Sequence, residues 1–228
     1  MAVSSNVNSF LQQVGQGVRS NLFQVSFYGF PTITDGSGQT ISLDADTATY
    51  LCKSAALPSS NLGVIEVPFR GRQVKIVGDR TFDTWTATFI NDTGFALRNA
   101  MEGWMAAMNS HVANTAQIYN PSINATNATN VAATNYTADI VVKQLARTGN
   151  VDGGILRTYN LWGCFPTNVS QIDLSYDSND QIEDFTVEFQ MQYWTAAAGD
   201  NAVPKIYPNN LKDGTTTPPT LYDKQTIS

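Results

Sequence analysis

Between residues 183 and 194 the chain alternates apolar and polar side chains without a slip. Phe185, Val187, Phe189, Met191 and Tyr193 fall on one side; Asp184, Thr186, Glu188, Gln190 and Gln192 fall on the other. A period of two is the pattern of a β-strand. At ~3.3 Å per residue the stretch would run about 40 Å as one strand. Its apolar side needs a core to cover it, and its other side is wet and acidic. A sheet with one solvated face is therefore the expected frame.

Other segments follow the same logic. Residues 22–28 read as a strand closed by Gly29 and Pro31, and residues 31–46, rich in Thr, Asp, Gly and Ser, as a loop. A strand is expected near 50–54, broken by Leu57 and Pro58. Residues 64–69 and 73–77 flank Arg70-Gly71-Arg72 and predict a β-hairpin. In residues 85–90 Trp85, Ala87 and Phe89 share one face, Thr86 and Thr88 the other. A helix is predicted over 91–109, with Asn91 as N-cap, Asp92 in the first turn, and Leu97, Met101, Trp104 and Met108 on one stripe. Strands return at 140–145 and at 156–162, where Phe165-Pro166 is expected to end the run. Ile172, Leu174 and Tyr176 alternate with Asp173, Ser175 and Asp177 before a turn at 177–180. The fold class is mainly β: an antiparallel β-sandwich or barrel with one flanking α-helix. Residues 1–20, where Val7, Phe10, Leu11, Val14 and Val18 share a helical face, form an N-terminal arm. Residues 21–194 form the β-domain, with an Asn/Ala/Thr-rich insertion at 112–137, and residues 195–228 a C-terminal extension.

Several chemistries find no footing. A single histidine, His111, at a predicted helix end leaves little for nucleophilic catalysis, and the nucleophile-elbow, zinc-protease and phosphate-loop motifs are absent. The run from Asp177 imitates a calcium loop but places Ile182 where that loop needs Gly. Cys52 and Cys164 fit no metal spacing and read as reduced, buried thiols. Asn-x-Thr triplets occur in the insertion, but the first residues show no secretory signal. No apolar run approaches the ~20 residues of a membrane helix, so no membrane insertion is expected. Catalytic residues, cofactors and metals are all expected to be none.

Charge is the informative signal. Charged residues make up only 14% of the chain, below the usual quarter, which suits surfaces that end against protein. The net charge is −6, which argues against gripping nucleic acid through phosphates. Between Arg157 and Lys205 there is no cation, but there are Asp173, Asp177, Asp180, Glu183, Asp184, Glu188 and Asp200. Lys53, Arg70, Arg72, Lys75 and Arg80 instead crowd residues 53–80. Unlike patches meeting head to tail would build rings or filaments.

Three long stretches carry a resemblance. Residues 78–92 (GDRTFDTWTATFIND), 161–169 (LWGCFPTNV) and 172–187 (IDLSYDSNDQIEDFTV), with Tyr193-Trp194 and the opening Asn21-Leu22-Phe23-Gln24-Val25, resemble in order and spacing the tail tube proteins of contractile-tailed bacteriophages. The resemblance covers residues 20–194. It implies hexameric rings stacked into a tube with a continuous inner β-barrel, inside a sheath. The implied partners are other copies of the chain, the tail sheath protein, the tape measure protein, the baseplate or tube initiator, the tail terminator, and double-stranded DNA in transit without sequence-specific binding. The implied location is the virion tail tube, assembled in the host cytoplasm. The inner tube of a phage-derived injection device without DNA, or a tube-initiating baseplate protein, are the neighbouring alternatives. With the resemblance, Asp173, Ser175, Asp184, Thr186, Glu188, Gln190 and Gln192 become lumen-lining candidates. The hairpin supplies inter-ring candidates: Phe69, Arg70, Arg72 and Lys75. The 31–49 loop, the 112–137 insertion and the tail beyond Trp194 depart from the compact family pattern.

Overall fold

The computed structural model describes residues 17–31, 33–34, 40–41, 45–116, 118, 136–147, 154–177 and 179–198, and positions 7, 10 and 11. Most of the predicted arm, insertion and C-terminal extension lies outside the described residues.

The main sheet is antiparallel and uses β1 (Phe23–Tyr28), β4 (Cys52–Ala55), β7 (Trp85–Ile90), β8 (Ala138–Leu145), β9 (Ile155–Val169), β10 (Asp184–Gln190) and β11 (Tyr193–Ala198). Its strand order is β1-β8-β9-β10-β7-β4, and β11 also pairs with β9. The sheet is not closed among the described residues. Two short strands, β2 (Ile33–Thr34) and β3 (Thr40–Ile41), pair with each other inside the predicted 31–46 loop. A separate hairpin joins β5 (Asn61–Phe69) to β6 (Arg72–Thr81).

β9 is the hinge of this architecture. Its first part lies between β8 and β11, and its last part pairs with β10. The sheet folds over, so that Phe27 of β1 meets Phe89 of β7 at 6.1 Å and Phe189 of β10 at 5.7 Å. The core between the two halves also holds Trp85, Phe185, Val187, Ile140, Val142 and Leu161, all buried. Each such side chain contributes roughly 1.5–3 kcal/mol by leaving water. Helix α2 (Ala96–Met108) closes the core with Leu97, Met101 and Trp104, the stripe expected from sequence; Met108 packs at its margin. Trp104 Nε1 donates to the Tyr136 carbonyl at 2.7 Å, so the buried indole keeps its hydrogen bond.

Four sequence expectations are corrected. The helix starts at Ala96, not at residue 91. Asn91 ties the end of β7 to Glu183, through its backbone N–H at 2.9 Å and its amide at 3.1 Å. Asp92 serves the helix start instead, accepting from the backbone N–H groups of Gly94 and Ala96 at 3.2 and 3.1 Å. A two-turn helix, α1 (Ala45–Leu51), occupies ground read as loop and strand. Seven residues with two threonines show no helical period, and the buried Ala48 fixes the helix by packing. β9 does not stop at Pro166. The register against β10 shifts so that Glu188 faces Asn168 and Phe189 faces Pro166, leaving Thr167 as the extra residue. The Thr167 hydroxyl donates to the Glu188 carbonyl at 3.2 Å, and the bulge accommodates a residue with no N–H. Finally, residues 172–176 form no strand, and the 183–194 ribbon is interrupted between β10 and β11. The Gln192 N–H still reaches the Trp162 carbonyl at 3.0 Å, so β10 and β11 follow one line along β9.

Candidate functional site: a polar sheet face and an exposed hairpin

The strands β4, β7, β10 and the end of β9 form one layer. Its inner side packs in the core. Its outer side carries the polar residues that alternation assigned there. Along β10, Phe185, Val187 and Phe189 are buried, while Asp184, Thr186, Glu188 and Gln190 are half-exposed. Thr186 faces Thr88 of β7, with the two hydroxyls 3.2 Å apart; Glu188 faces Thr86 on one side and Asn168 on the other. These four lumen candidates are thus brought together. Gln192 lies beyond them, exposed, with its side chain against Gly163.

Asp173 and Ser175 are not on this strand face. They belong to an excursion, residues 170–183, that leaves β9 and returns to β10. Ser170 roots it: its N–H donates to the Thr186 carbonyl at 2.8 Å, and its hydroxyl accepts from the Thr186 N–H at 2.9 Å. Arg98 of α2 reaches the Ser170 carbonyl at 3.3 Å and lies over the Phe185 ring at 5.4 Å. Between the excursion and the end of the polar face is an open cleft of about 650 Å³, lined by Ile172, Asp173, Leu174, Ile182, Glu183 and Asp184 among others.

The charge of the face also differs from expectation. Lys53 of β4 forms an ion pair with Asp184, so one of the two β10 carboxylates is already matched. Both side chains stay partly exposed, and such a pair stabilises by at most about 1 kcal/mol. Its main effect is on the local potential. In sequence the two residues are far apart, and nothing in the local pattern signals their meeting.

The hairpin stands apart from the core. Every residue of β5 and β6 is exposed except Gly78, which is half-buried. Val64 is 60%, Ile76 53% and Phe69 57% exposed. Arg70 and Gly71 both have positive φ, 45° and 83°, so the two strands are joined by a type I′ turn. Phe69 and Arg72 form the last pair, and the Arg70 guanidinium lies 5.5 Å over the Phe69 ring. Lys75 is directed back to its cross-strand neighbour Glu66 at 3.8 Å. Asp83 holds the root, accepting from the Ser59 hydroxyl and the Asn61 amide, both at 2.8 Å. No sequence signal marked Asp83 for this task.

The thiols are quiet. Cys164 is buried and Cys52 partly buried, and both are free. Burial pushes the Cys52 thiol up to about 12, and burial, then the Asp139 carboxylate, pushes Cys164 up. His111 is exposed in the turn after α2. Among the described residues no group of His, Cys, Asp and Glu is placed to hold a metal ion, and no helix is long and apolar enough to cross a membrane.

Comparison with known proteins gives one consistent result. A family model described as phage tail tube protein matches residues 18–197. The tail tube protein gp19 of Enterobacteria phage T4 is 29% identical over 180 residues, covering 79% of this chain and 92% of that protein. The tail tube protein of Serratia phage KSP90 is 27% identical over 197 residues, covering 85% and 97%. Among solved structures, the tube-terminating cap of the anti-feeding prophage superposes with a TM-score of 0.52 at 18% identity, over 87% of this chain and 100% of that one. The sheath/tube terminator of the extracellular contractile injection system PVC does so with a TM-score of 0.50 at 15% identity, over 80% and 97%. At these identities the two structures speak for the fold alone.

Proposed function

The chain belongs to the phage tail tube protein family, and on that footing we propose that it assembles as hexameric rings stacked into a hollow conduit, which double-stranded DNA crosses without being held. It is a structural subunit of a tail tube.

The observation that carries the proposal is the β4-β7-β10-β9 layer. Among the described residues β4 pairs only with β7, and residues 165–169 of β9 pair only with β10. Each outer edge therefore offers backbone groups to another strand. A free monomer with such edges invites aggregation, whereas a ring of copies pairs them and removes the edges altogether. If the layers join in this way, their inner sides stay in the subunit cores and their polar sides face a common bore.

Thr186, Glu188 and Gln190, with Asp184 beside Lys53, then supply the wall, with Gln192 beyond. DNA presents a charge about every 1.7 Å of its axis. A wall of hydroxyls, amides and carboxylates, in which Lys53 is already paired with Asp184, gives it little to bind, and its passage meets little friction. Asp173 and Ser175 would stand at the end of the bore, on the excursion. The hairpin, with Phe69, Arg70, Arg72 and Lys75, would bridge rings. The sheath, tape measure, baseplate initiator and terminator complete the proposed set of partners, in a virion tail assembled in the host cytoplasm. The role is structural, with no catalytic step.

Electron microscopy of the purified chain tests the assembly: rings or hollow rods are expected, and a persistently monomeric chain, even when seeded with a tube end, would overturn it. The wall is tested with Glu188→Lys and Gln190→Lys together. Tubes should form while genome ejection slows; ejection at the normal rate would remove these residues from the bore.

A further inference from the structure

The half of the sheet made by β1, β8, β9 and β11 is buried on both sides. In β8, Ile140 and Val142 enter the core, so Val141 between them points the other way. The register sets Val141 beside Asn160 of β9, Asn160 beside Thr195 of β11, and Trp162 beside Tyr193. The Trp162 ring stacks on Tyr193 at 6.2 Å, and its Nε1 donates to the Thr195 hydroxyl at 3.1 Å. On this outer side Val141 is 1% exposed, Thr158 0%, Asn160 4% and Trp162 6%. Such values belong to an interior and not to a solvated sheet face. Val141 and Trp162 nevertheless stand outside the core cluster, and the described elements that reach these strands, α1, α2 and the opposite half of the sandwich, pack on the core side. The Asn160 Oδ1 is sealed from water without a hydrogen-bond partner, a costly state that a passing backbone N–H would relieve.

We propose that residues 199–211 of the same copy cross this face as an extended strap, with their apolar side chains over the Val141–Trp162 patch. Three observations select that occupant. β11 ends at Ala198 on the strand beside β9, so the continuing chain starts at the margin of the face. The segment GDNAVPKIYPNNL carries Val203, Ile206, Tyr207 and Leu211 between Pro204 and Pro208 and their polar neighbours. Prolines at this spacing favour the polyproline II form, which leaves backbone groups unpaired and able to meet a side chain such as Asn160. At ~3.1 Å per residue, residues 199–203 span about 15 Å, enough to pass the ~10 Å from β11 over β9 to β8. The N-terminal arm fits less well, because its Val7, Phe10 and Leu11 stay exposed. The family model ends at residue 197, so the strap is an addition of this chain to the family plan. It is internal to one copy and does not depend on assembly.

Trypsin reads the strap in the unaltered protein. Lys205 lies within it and Lys224 beyond it. Cleavage after Lys205 should be at least ten times slower than after Lys224, and equal rates would overturn the proposal. Its seat is read with Val141→Cys, labelled by N-ethylmaleimide and located by mass spectrometry. A chain that ends at Ala198 and keeps its far-UV spectrum should label at residue 141 at least ten times faster than the full chain. Should the shortened chain not fold, the full chain with Ile206→Asp and Tyr207→Asp supplies the same comparison. Equal labelling of the full chain and the folded variant would place the strap elsewhere and overturn the seat. Protection of residue 141 that fades on dilution would assign the cover to a second copy and equally overturn the proposal. These readings use the single chain, so a failure to form tubes would count against the proposed function and leave the strap standing.

Discussion

The Asp139 carboxylate accepts the backbone N–H of Gly163 at 3.0 Å, at the point where β9 passes from one half of the sandwich to the other. Gly163 has φ of +61°, and a Cβ there would come 2.8 Å from Gln192 Cγ. The bend therefore relies on a residue without a side chain and on an acceptor aimed at its N–H.

Gly163→Ala should lower stability by ~1–3 kcal/mol, from the left-handed backbone and the contact with Gln192. A domain of this size should then melt roughly 3–10 °C earlier. Adding Gln192→Ala should recover only the steric share. An unchanged melting curve for Gly163→Ala would show that the bend is not under such constraint.

Ile65 and Ile76 face each other across the exposed hairpin. Replacing both with Glu should leave monomer stability within about 0.5 kcal/mol, since neither belongs to the core. Polymerisation should be lost, because the apolar surface that the proposed assembly buries between copies is gone. Light scattering against chemical denaturation separates the two effects; normal tube growth would contradict them.

Burial raises the Cys52 thiol from 9.0 to about 12, and Cys164 moves in the same direction. The unfolded chain gives up these protons first as pH rises. The Cys52 contribution is thus fully present below about pH 9 and is lost progressively towards about pH 12, and the Cys164 contribution is lost in the same direction. Cys52→Ser with Cys164→Ala should flatten the alkaline fall in stability, measured by denaturant midpoints between about pH 8 and about pH 11. In the native protein at neutral pH, both thiols should react slowly with an alkylating reagent; rapid labelling of Cys164 would contradict its burial.

Arg98 touches the excursion root and the Phe185 ring at once, and pairs with Glu102 at 2.7 Å. Arg98→Ala should cost ~1–2 kcal/mol, from the lost packing of its stem and the carbonyl left without a donor. Arg98→Lys should recover only part of that, because an ammonium cannot cover the ring as a planar guanidinium does. Equal stability of the Lys variant and the native protein would count against the stacking.

What sequence reveals here depends on the range of the interaction. Residues 85–90 and the two-faced ribbon were legible because alternation is local and one face is buried, from Trp85 to Phe89 and from Phe185 to Met191. The hairpin was legible from its glycine turn, although its strands extend further than expected, to Asn61 and Thr81. Pro166 misled, because the register shift that accommodates it is a property of the β9–β10 pair and not of β9. The alternation in 172–176 misled for the opposite reason: it lacks a strand partner among the described residues. Lys53 and Asp184 meet only because β4 and β10 lie on either side of β7, an order that no local pattern encodes.

On the proposed assembly, the bare hairpin sets the conditions under which this chain stays single. A newly made copy wears its stickiest surface outward, so dilution keeps it apart from its siblings. If copies join as proposed, the same surface turns from a hazard into a fastener once they crowd at a growing end, and the threshold between the two is a matter of concentration.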